Sequence, residues 1–408
     1  MSATAPPLTP YQRKLFVFLG VATFFEGFDQ MALAQILPTL REEMSLGDVG
    51  TGLLVAFTNL GTVVAYLLVR QADRWGRKPV LSLTIAGYTI FSFASGLVSS
   101  PWLFGLLQFI ARIFLIGEWA VSMIYAAEEF PAARRGSMIG IISAWSALGA
   151  VVCVGVVPLL IRSPFGWRTV YFVGTVPLVL LAFARRSLRE TERFSSLSSA
   201  ERAPAPLMRV FHTPYRGRVL QLALIWFLTY LCTQTAITFF KQHAVEDLGM
   251  ADTRVGLLIS AAALVSMPLV FMVGRLLDVI GRRRGSIVIF VLTALGALGS
   301  YTLSGEVLLF VPVMLAIFGA SAVLPALNAF STELFPTELR SDAFAWANNL
   351  LGRIGYVLAP IGVGFAAEHV GWGPAVASTA IGPLLALVLI LRWMPETKGK
   401  ELEETAAL

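Results

Sequence analysis

The sequence carries little charge, since only 14% of its 408 residues are Asp, Glu, Lys or Arg and 56% are hydrophobic. Soluble domains carry about 25% charged residues, so this composition excludes an ordinary soluble enzyme. Cysteine and histidine are also scarce. Cys153 and Cys232 are isolated in apolar stretches, and the three histidines lack metal-ligand spacing. We therefore expect neither disulfides nor a bound metal.

Signals of several other function classes are missing as well. No segment resembles the glycine-rich loop that cradles ATP phosphates, and the sequence shows no nucleophile and base in a catalytic pattern. The net charge of +6 comes from basic residues scattered between apolar stretches, which does not indicate a nucleic-acid surface. We expect no cofactor, no enzymatic activity and no nucleic-acid partner.

The sequence does contain long apolar runs. A helix needs about 20 apolar residues to cross the hydrocarbon core of a bilayer. Twelve such runs lie near residues 13–38, 51–70, 79–99, 102–126, 137–160, 167–185, 219–241, 254–275, 285–303, 307–331, 343–367 and 373–393. The sequence therefore predicts an all-α membrane protein with twelve transmembrane helices in a lipid bilayer.

The charges of the loops predict the orientation of these runs in the membrane, and an internal repeat divides the runs into two sets. Loops on the side of the termini hold 24 Arg and Lys residues, and the opposite loops hold five. The positive-inside rule then predicts a multi-pass plasma membrane protein with both termini cytoplasmic, and we expect a bacterial inner membrane. An ungapped offset of 205 residues maps Asp73 to Asp278. This duplication predicts two six-helix bundles, residues 1–185 and 219–408, joined by a cytoplasmic linker at 186–218.

The duplicated loops resemble those of the major facilitator superfamily. Residues 73–78 (DRWGRK) and 274–284 (GRLLDVIGRRR) are similar to the family's G-x-x-x-D-R-x-G-R-R/K loop, in the two loops where it belongs. The resemblance implies that charged residues near these loops latch one conformation of a transporter. The candidates for conformational gating are Asp73, Arg74, Arg77, Glu128, Arg135, Asp278, Arg282, Glu333 and Arg340.

Other motifs narrow the branch of the family. Residues 26–29 (EGFD), 128–131 (EEFP) and 395–399 (PETKG) resemble elements of sugar porters, aromatic-acid:proton symporters, metabolite:proton symporters and synaptic-vesicle-protein-2-like carriers. The resemblance implies a secondary transporter with two pseudo-symmetric six-helix bundles. We expect it to work as a monomer.

Five ionisable residues fall inside predicted helices: Glu26, Asp29, Arg112, Glu118 and Arg353. A charge at mid-bilayer costs about 2.5–3.5 kcal/mol, so these residues must pair, bind protons or face water. Glu26 and Asp29 share one helix face, and two close carboxylates do not readily ionise together. We expect Asp29 to bind the coupling proton beside Arg112, with Glu26 and Glu118 as further proton sites. A purely structural pair of Asp29 and Arg112 is the alternative.

The position of Arg112 departs from one branch of the family. Sugar porters are similar in pairing an Asp of the first helix with an Arg of the fourth, but their Arg lies about one helical turn earlier. That earlier position holds Gln108 here. Because one turn separates the two positions, both face the same way.

Arg353 has two interpretations. It binds the carboxylate of an anionic solute, or it pairs with an acid such as Glu118 for structural reasons. Polar and aromatic residues elsewhere in the helices are candidates for lining the solute site, with plain helix packing as the alternative for each. The candidate substrate-binding residues are Arg353, Gln234, Thr235, Asn328, Asn348, Asn349, Trp145 and Trp346.

The function predicted from these residues is a proton-coupled symporter of a small organic acid, aromatic acids included, that works by alternating access. Its partners would be the solute and protons. Two arginines inside the membrane favour an anion, but three acids leave other solutes open. The alternatives are a sugar:proton symporter and an antiporter that exchanges drugs or organic cations for protons.

Overall fold

The computed structural model describes residues 8–184, 188–196, 206, 208–400 and 402–406. These residues form helices joined by short connections and contain no β-strand. The helices are α1 (Pro10–Glu43), α2 (Asp48–Val69), α3 (Ala72–Trp75), α4 (Arg77–Ser95), α5 (Pro101–Glu129), α6 (Ala132–Leu160), α7 (Arg168–Ala184), α8 (Glu192–Ser196), α9 (Arg216–Thr238), α10 (Phe240–Glu246), α11 (Asp252–Ile280), α12 (Arg282–Thr302), α13 (Glu306–Glu333), α14 (Thr337–Phe344), α15 (Ile354–Val370), α16 (Trp372–Ala377), α17 (Ile381–Trp393) and α18 (Leu402–Ala406). Two 3₁₀ turns, Arg209–His212 and Ser378–Ala380, and a π-helical segment, Ala345–Gly352, interrupt this series.

Ten helical stretches of the described residues are long and apolar enough to cross a membrane, and they coincide with ten of the twelve predicted runs. The other two runs are helices as well, α4 and α7. Helix α7 has only 17 residues. Helix α4 begins with Arg77 and Lys78 and contains several Ser and Thr residues, which lower its hydropathy. The all-α membrane fold is confirmed.

The chain divides into two compact units. The first unit comprises residues 1–36 and 64–204, and the second comprises residues 37–63 and 205–408. The bundle limits and the linker expected from the sequence stay predictions. Part of that linker, residues 186, 187, 197–205 and 207, lies outside the described residues.

Two glycines hold helices α1 and α6 together in the first unit. A methyl group added to Gly27 or to Gly149 would overlap a backbone carbonyl of the opposite helix. Small residues allow membrane helices to approach this closely. This crossing also brings Ser146 of α6 to Glu26, whereas Asp29 accepts its hydrogen bond from Ser92 of α4.

Helix α2 packs on α15 in the second unit. A methyl group on Gly52 would lie 3.0 Å from the Cα atom of Gly364. Further along the same helix, Asn59 Nδ2 donates a hydrogen bond to the carbonyl oxygen of Tyr356 at 3.0 Å. This packing brings the carbonyl oxygen of Thr62 to the side chain of Arg353.

Candidate functional site

Four of the ionisable residues expected inside helices meet in the interior of the first unit. Glu26 and Asp29 come from α1, and Arg112 and Glu118 come from α5. All four are buried, with Asp29, the most accessible, only 8% exposed. Glu26 interacts electrostatically with Asp29, Arg112 and Glu118, and Asp29 interacts with Arg112. The structure therefore brings the predicted proton-coupling residues into one cluster.

Each carboxylate of this cluster accepts a hydrogen bond from a serine hydroxyl. The pairs are Ser92 with Asp29 (3.3 Å), Ser146 with Glu26 (2.7 Å) and Ser122 with Glu118 (2.8 Å). Within the described part of the chain, no carboxylate lies within 4.0 Å of the Arg112 guanidinium. Three carboxylates and one guanidinium leave two uncompensated negative charges when all are ionised. Bound protons can neutralise them.

Arg353 lies in the second unit, directly after the π-helical segment. Its Nη1 donates to the carbonyl oxygen of Thr62 at 3.1 Å, and the guanidinium interacts electrostatically with the Tyr230 hydroxyl. Tyr230 in turn donates to Asn348 Oδ1 at 2.7 Å. The described residues offer no partner to the buried Arg353 Nε and no carboxylate within 4.0 Å of the guanidinium. Neutral groups therefore surround the Arg353 guanidinium, which retains N–H groups that can donate hydrogen bonds to an anion.

Aromatic rings border the Arg353 site. Tyr230 and Tyr356 are stacked, with ring centroids 4.3 Å apart and planes inclined by 29°. Trp226 packs on Tyr230, with ring centroids 5.2 Å apart. The π-helical segment, a wide turn that is frequent at functional sites, places Asn348 and Arg353 near these rings. The site combines one cation with flat apolar surfaces.

The remaining candidates for lining the solute site are dispersed. The side chains of most of them contact neighbouring residues. Gln234 donates a hydrogen bond to Thr238 (3.2 Å), and Thr235 donates one to the Leu231 carbonyl oxygen (2.7 Å). The ring of Trp145 packs on Phe24, and that of Trp346 packs on Phe211. Asn349 is half-buried in the π-helical segment, and Asn328 Oδ1 is buried without a partner among the described residues. Of the predicted set, the structure groups Asn348 with Arg353.

Charged side chains tie the loop after α2 to the end of α5. Arg77 Nη2 lies 2.9 Å from a Glu128 carboxylate oxygen and 3.2 Å from an Asp73 oxygen. The Glu190 carboxylate accepts hydrogen bonds from the backbone N–H groups of Arg77 (2.9 Å) and Lys78 (3.2 Å), which open α4. A carboxylate at a helix N-terminus is favoured by the exposed N–H groups and the helix dipole.

The same arrangement recurs in the second unit. Arg282 contacts Glu333 at 3.1 Å and Asp278 at 2.8 Å. Glu396 accepts from the backbone N–H groups of Arg282 (2.8 Å) and Arg283 (3.1 Å), which open α12. Partial burial acts to raise the pKa of Glu396, but these backbone donors outweigh it and hold the pKa below the usual value of 4.5. The sequence repeat at an offset of 205 residues therefore also repeats the contacts of Arg77 in those of Arg282.

The other predicted gating residues form no ion pairs in the described part of the chain. Arg74 is exposed, and Arg135 is half-buried with an Nε that has no described partner. Arg340 donates to the Phe335 carbonyl at 3.4 Å. These three arginines lie outside the two charge networks.

Comparison with known proteins places the chain in a family. A sequence profile described as Major Facilitator Superfamily matches residues 19–242 and 222–407. The chain belongs to this superfamily. The "Probable 4-methylmuconolactone transporter" of Cupriavidus pinatubonensis is 26% identical over 97% of this chain and 93% of its own. The gallate transporter of Pseudomonas putida is 26% identical, with coverage of 94% and 92%.

A solved structure supports the same fold. The crystal structure of a D-xylose-proton symporter matches 96% of this chain and 99% of its own with a TM-score of 0.78, at 17% identity. As a Major Facilitator Superfamily member, the protein is a multi-pass membrane transporter and not an enzyme. The resemblance inferred from the sequence motifs is confirmed.

Several residues at the sites of this superfamily member escaped prediction. The hydroxyl donors Ser92 and Ser146 come from helices other than α1, and no sequence spacing links them to Asp29 or Glu26. Ser122 was detectable, because it lies four residues after Glu118 on one helix face. Glu190 and Glu396 were visible too, as members of Glu-Thr pairs that recur after the sixth and twelfth runs.

Proposed function

We propose that the protein is a proton-coupled symporter that moves a small organic acid across a bacterial inner membrane by alternating access, with both termini cytoplasmic. One observation carries the proposal: the five ionisable residues expected inside helices are divided between the two units. The first unit holds three carboxylates around Arg112, and the second holds Arg353 among neutral donors and aromatic rings. The first arrangement suits a proton, and the second suits an anion.

Asp29 is the residue that we assign to the coupling proton. Each buried charge costs about 2.5–3.5 kcal/mol in a membrane, so a proton on Asp29 removes a comparable penalty. Arg112 acts in the opposite sense, because its positive charge favours the ionised carboxylate. A group balanced between these effects can gain and lose a proton during transport. Glu26 and Glu118 supply further proton sites in the same cluster.

Arg353 is the residue that we assign to the solute carboxylate. A guanidinium can bind a carboxylate through two parallel hydrogen bonds, a geometry that gives both strength and orientation. Its present bond to the Thr62 carbonyl occupies one nitrogen, Nη1. The stacked rings of Tyr230 and Tyr356 offer apolar surface to the rest of a small acid.

The relatives support an organic acid or a related molecule. One is named for gallate, which is an aromatic carboxylate, and another for 4-methylmuconolactone. Both match this chain over more than nine-tenths of its length. Among the solutes left open by the sequence, an anion is the one that also suits Arg353.

The charge networks around Arg77 and Arg282 are assigned to gating. Each joins an arginine to two acids and holds a third acid at the first turn of a helix, so a movement of one helix end must break several bonds together. Such clusters favour discrete conformations over continuous deformation. We expect a single chain, acting as a monomer, to complete the transport cycle.

Uptake by purified protein in liposomes tests the function. With an acidic exterior, labelled benzoate or gallate should accumulate inside, and a protonophore should abolish the accumulation. Protein-free liposomes correct for the passive entry of protonated acid. Labelled xylose and efflux of a cationic dye serve as parallel assays. Uptake of the sugar, or export of the dye, without movement of any acid would overturn the proposal.

A further inference from the structure

Two buried polar groups of the first unit have no hydrogen-bond partner among the described residues. They are the amide Nε2 of Gln108 on α5 and the hydroxyl of Tyr171 on α7. The side chains are 4% and 1% exposed. A buried polar group without a partner costs about 1–3 kcal/mol, so each of these needs an explanation.

Both groups lie beside the proton-binding cluster. The Tyr171 ring packs on Phe104, with centroids 6.0 Å apart, and its hydroxyl interacts electrostatically with Arg112. Phe104 and Arg112 are four residues before and four residues after Gln108. Since residues four apart share one face of a helix, Gln108 lies on the face of α5 that Tyr171 covers.

Asp29 interacts with groups on the same two helices, α5 and α7. Its carboxylate interacts electrostatically with both Arg112 and the Tyr171 hydroxyl. Helix α7 also contacts α1 next to this point, because a methyl group on Gly174 would lie 3.9 Å from the Phe28 ring. Two groups without partners and the carboxylate assigned to the coupling proton are therefore carried by the three neighbouring helices α1, α5 and α7.

We propose that Gln108 and Tyr171 bind a water molecule that passes the coupling proton to Asp29. The inference rests on the proposed function in one respect, that Asp29 is the proton acceptor. The amide N–H of Gln108 and the hydroxyl of Tyr171 both donate to the water oxygen. Its two hydrogens are then directed away from these donors, and one reaches a carboxylate oxygen of Asp29. A buried water usually makes about three hydrogen bonds to such groups.

The proton balance is simple. One O–H bond of the water breaks as an O–H bond forms on Asp29, and the water regains a proton from the aqueous side. Gln108 lies one turn closer than Arg112 to the Pro101 end of α5, which is the end remote from the Arg77 network. Protons would therefore enter from that end. The Arg112 charge disfavours a resident hydronium, so the water carries a proton only in passing. Gln108 and Tyr171 act as positioning residues.

Transport assays of Gln108→Leu and Tyr171→Phe test the relay. Uptake driven by a pH gradient should slow by at least about tenfold, since a positioned proton donor contributes 10²-fold or more to a proton-transfer step. Exchange of labelled for unlabelled solute, which needs no net proton movement, should stay within about twofold. Unchanged driven uptake would overturn the relay. Equal losses of exchange and driven uptake would also overturn it, because the two groups would then contact solute.

Thermal unfolding tests the water without reference to transport. If the two groups share a water, each single variant lowers the melting temperature, and the double variant costs less than the sum because both lose the same ligand. If they hold nothing, Tyr171→Phe raises the melting temperature and the water is excluded. Tyr301→Phe is the matched control, since this buried hydroxyl donates to the Ala236 carbonyl at 2.9 Å. It should lower stability and leave proton-driven uptake intact.

These two measurements separate the inference from the proposed function. If wild-type protein shows no proton-driven uptake, the symporter proposal fails. The thermal unfolding of the single and double variants still decides whether the water is bound. If wild-type uptake is driven by protons, the proposed function stands. The water relay fails if the effects of the two single variants on the melting temperature add in the double variant and Tyr171→Phe is stabilising.

Discussion

Arg353 donates a hydrogen bond from Nη1 to the carbonyl oxygen of Thr62 at 3.1 Å. This bond attaches the candidate anion site to helix α2 through the backbone and not through a side chain. A solute carboxylate that binds through Nε, which has no partner among the described residues, leaves this bond in place, so the guanidinium would join the solute to α2. Occupancy of the site therefore bears on the packing of α2 against α15, which offers a physical link between solute binding and helix movement.

Replacing Arg353 should weaken solute binding. Arg353→Gln removes a charged hydrogen-bond donor, whose loss costs about 1.5–3 kcal/mol. This corresponds to a rise in KM of roughly 10- to 150-fold. Arg353→Lys should recover part of the affinity, because an ammonium keeps the charge and loses the planar fork. The uptake KM and the stabilisation of purified protein by added acid measure both variants.

The matched control for Arg353 is an arginine at the surface. Arg254 is 68% exposed at its side chain and pairs with Glu306 at 2.8 Å. Arg254→Gln should leave the KM for the acid unchanged. An Arg353→Gln protein that binds the acid as tightly as the wild type would remove Arg353 from the solute site.

Asp29→Asn should uncouple transport from protons. The amide resembles the protonated carboxyl in shape and cannot release a proton, so accumulation against a gradient should be lost. Exchange of labelled for unlabelled acid across the membrane should continue, because it returns the carrier without net proton movement. Accumulation under an imposed pH gradient and exchange at equal pH are the two measurements. Continued accumulation by Asp29→Asn would assign the coupling proton elsewhere.

The sequence predicted the helices better than the contacts between them. A run of about 20 apolar residues has one stable form in a bilayer, and all twelve predicted runs are helical in the described chain. The π-helical segment inside the run predicted at 343–367 was not foreseen. Its sequence, AWANNLLG, has no proline and a glycine only at its end, so no local signal marks the wider turn.

The residues of the candidate site also divide into those that the sequence could select and those that it could not. Glu26, Asp29, Arg112 and Glu118 could be selected from the sequence because charge is expensive in a membrane. Tyr171 could not, and Gln108 was visible only as the residue at the position of the sugar-porter Arg, because neutral polar residues are common in such helices and their lack of partners depends on packing. The grouping of residues 37–63 with the second unit also depends on tertiary contacts, such as Asn59 with Tyr356. No periodicity along α2 predicts it.

Glu396 should make stability depend on acidic pH. Its pKa lies below the usual 4.5, since backbone N–H donors outweigh the effect of partial burial. A pKa lowered by folding stabilises the protein above pH 4.5, and the contribution is lost as the pH falls through the lowered value. Glu396→Gln should therefore flatten the acid side of the melting-temperature profile. At neutral pH it should cost roughly 0.5–1.5 kcal/mol.

Glu368→Gln provides the comparison for Glu396, because Glu368 is exposed on α15. At neutral pH this substitution should leave the melting temperature unchanged. Identical profiles for Glu396→Gln and the wild type would show that the contact with the start of α12 does not stabilise the fold. Glu190→Gln should lower the melting temperature at neutral pH, because the same backbone contacts recur at the start of α4.

Two glycines of α6 should respond in opposite ways to alanine. At Gly149 the new methyl group would overlap the Phe24 carbonyl of α1, and overpacking of this kind costs about 1–3 kcal/mol. At Gly140 no atom lies within 4 Å of the new methyl, so alanine should gain up to about 1 kcal/mol in helix propensity. Melting temperatures in one detergent measure both variants. Equal stability would mean that α1 and α6 separate at little cost, and Glu26, which accepts a hydrogen bond from Ser146 of α6, would then not be held in place by this crossing.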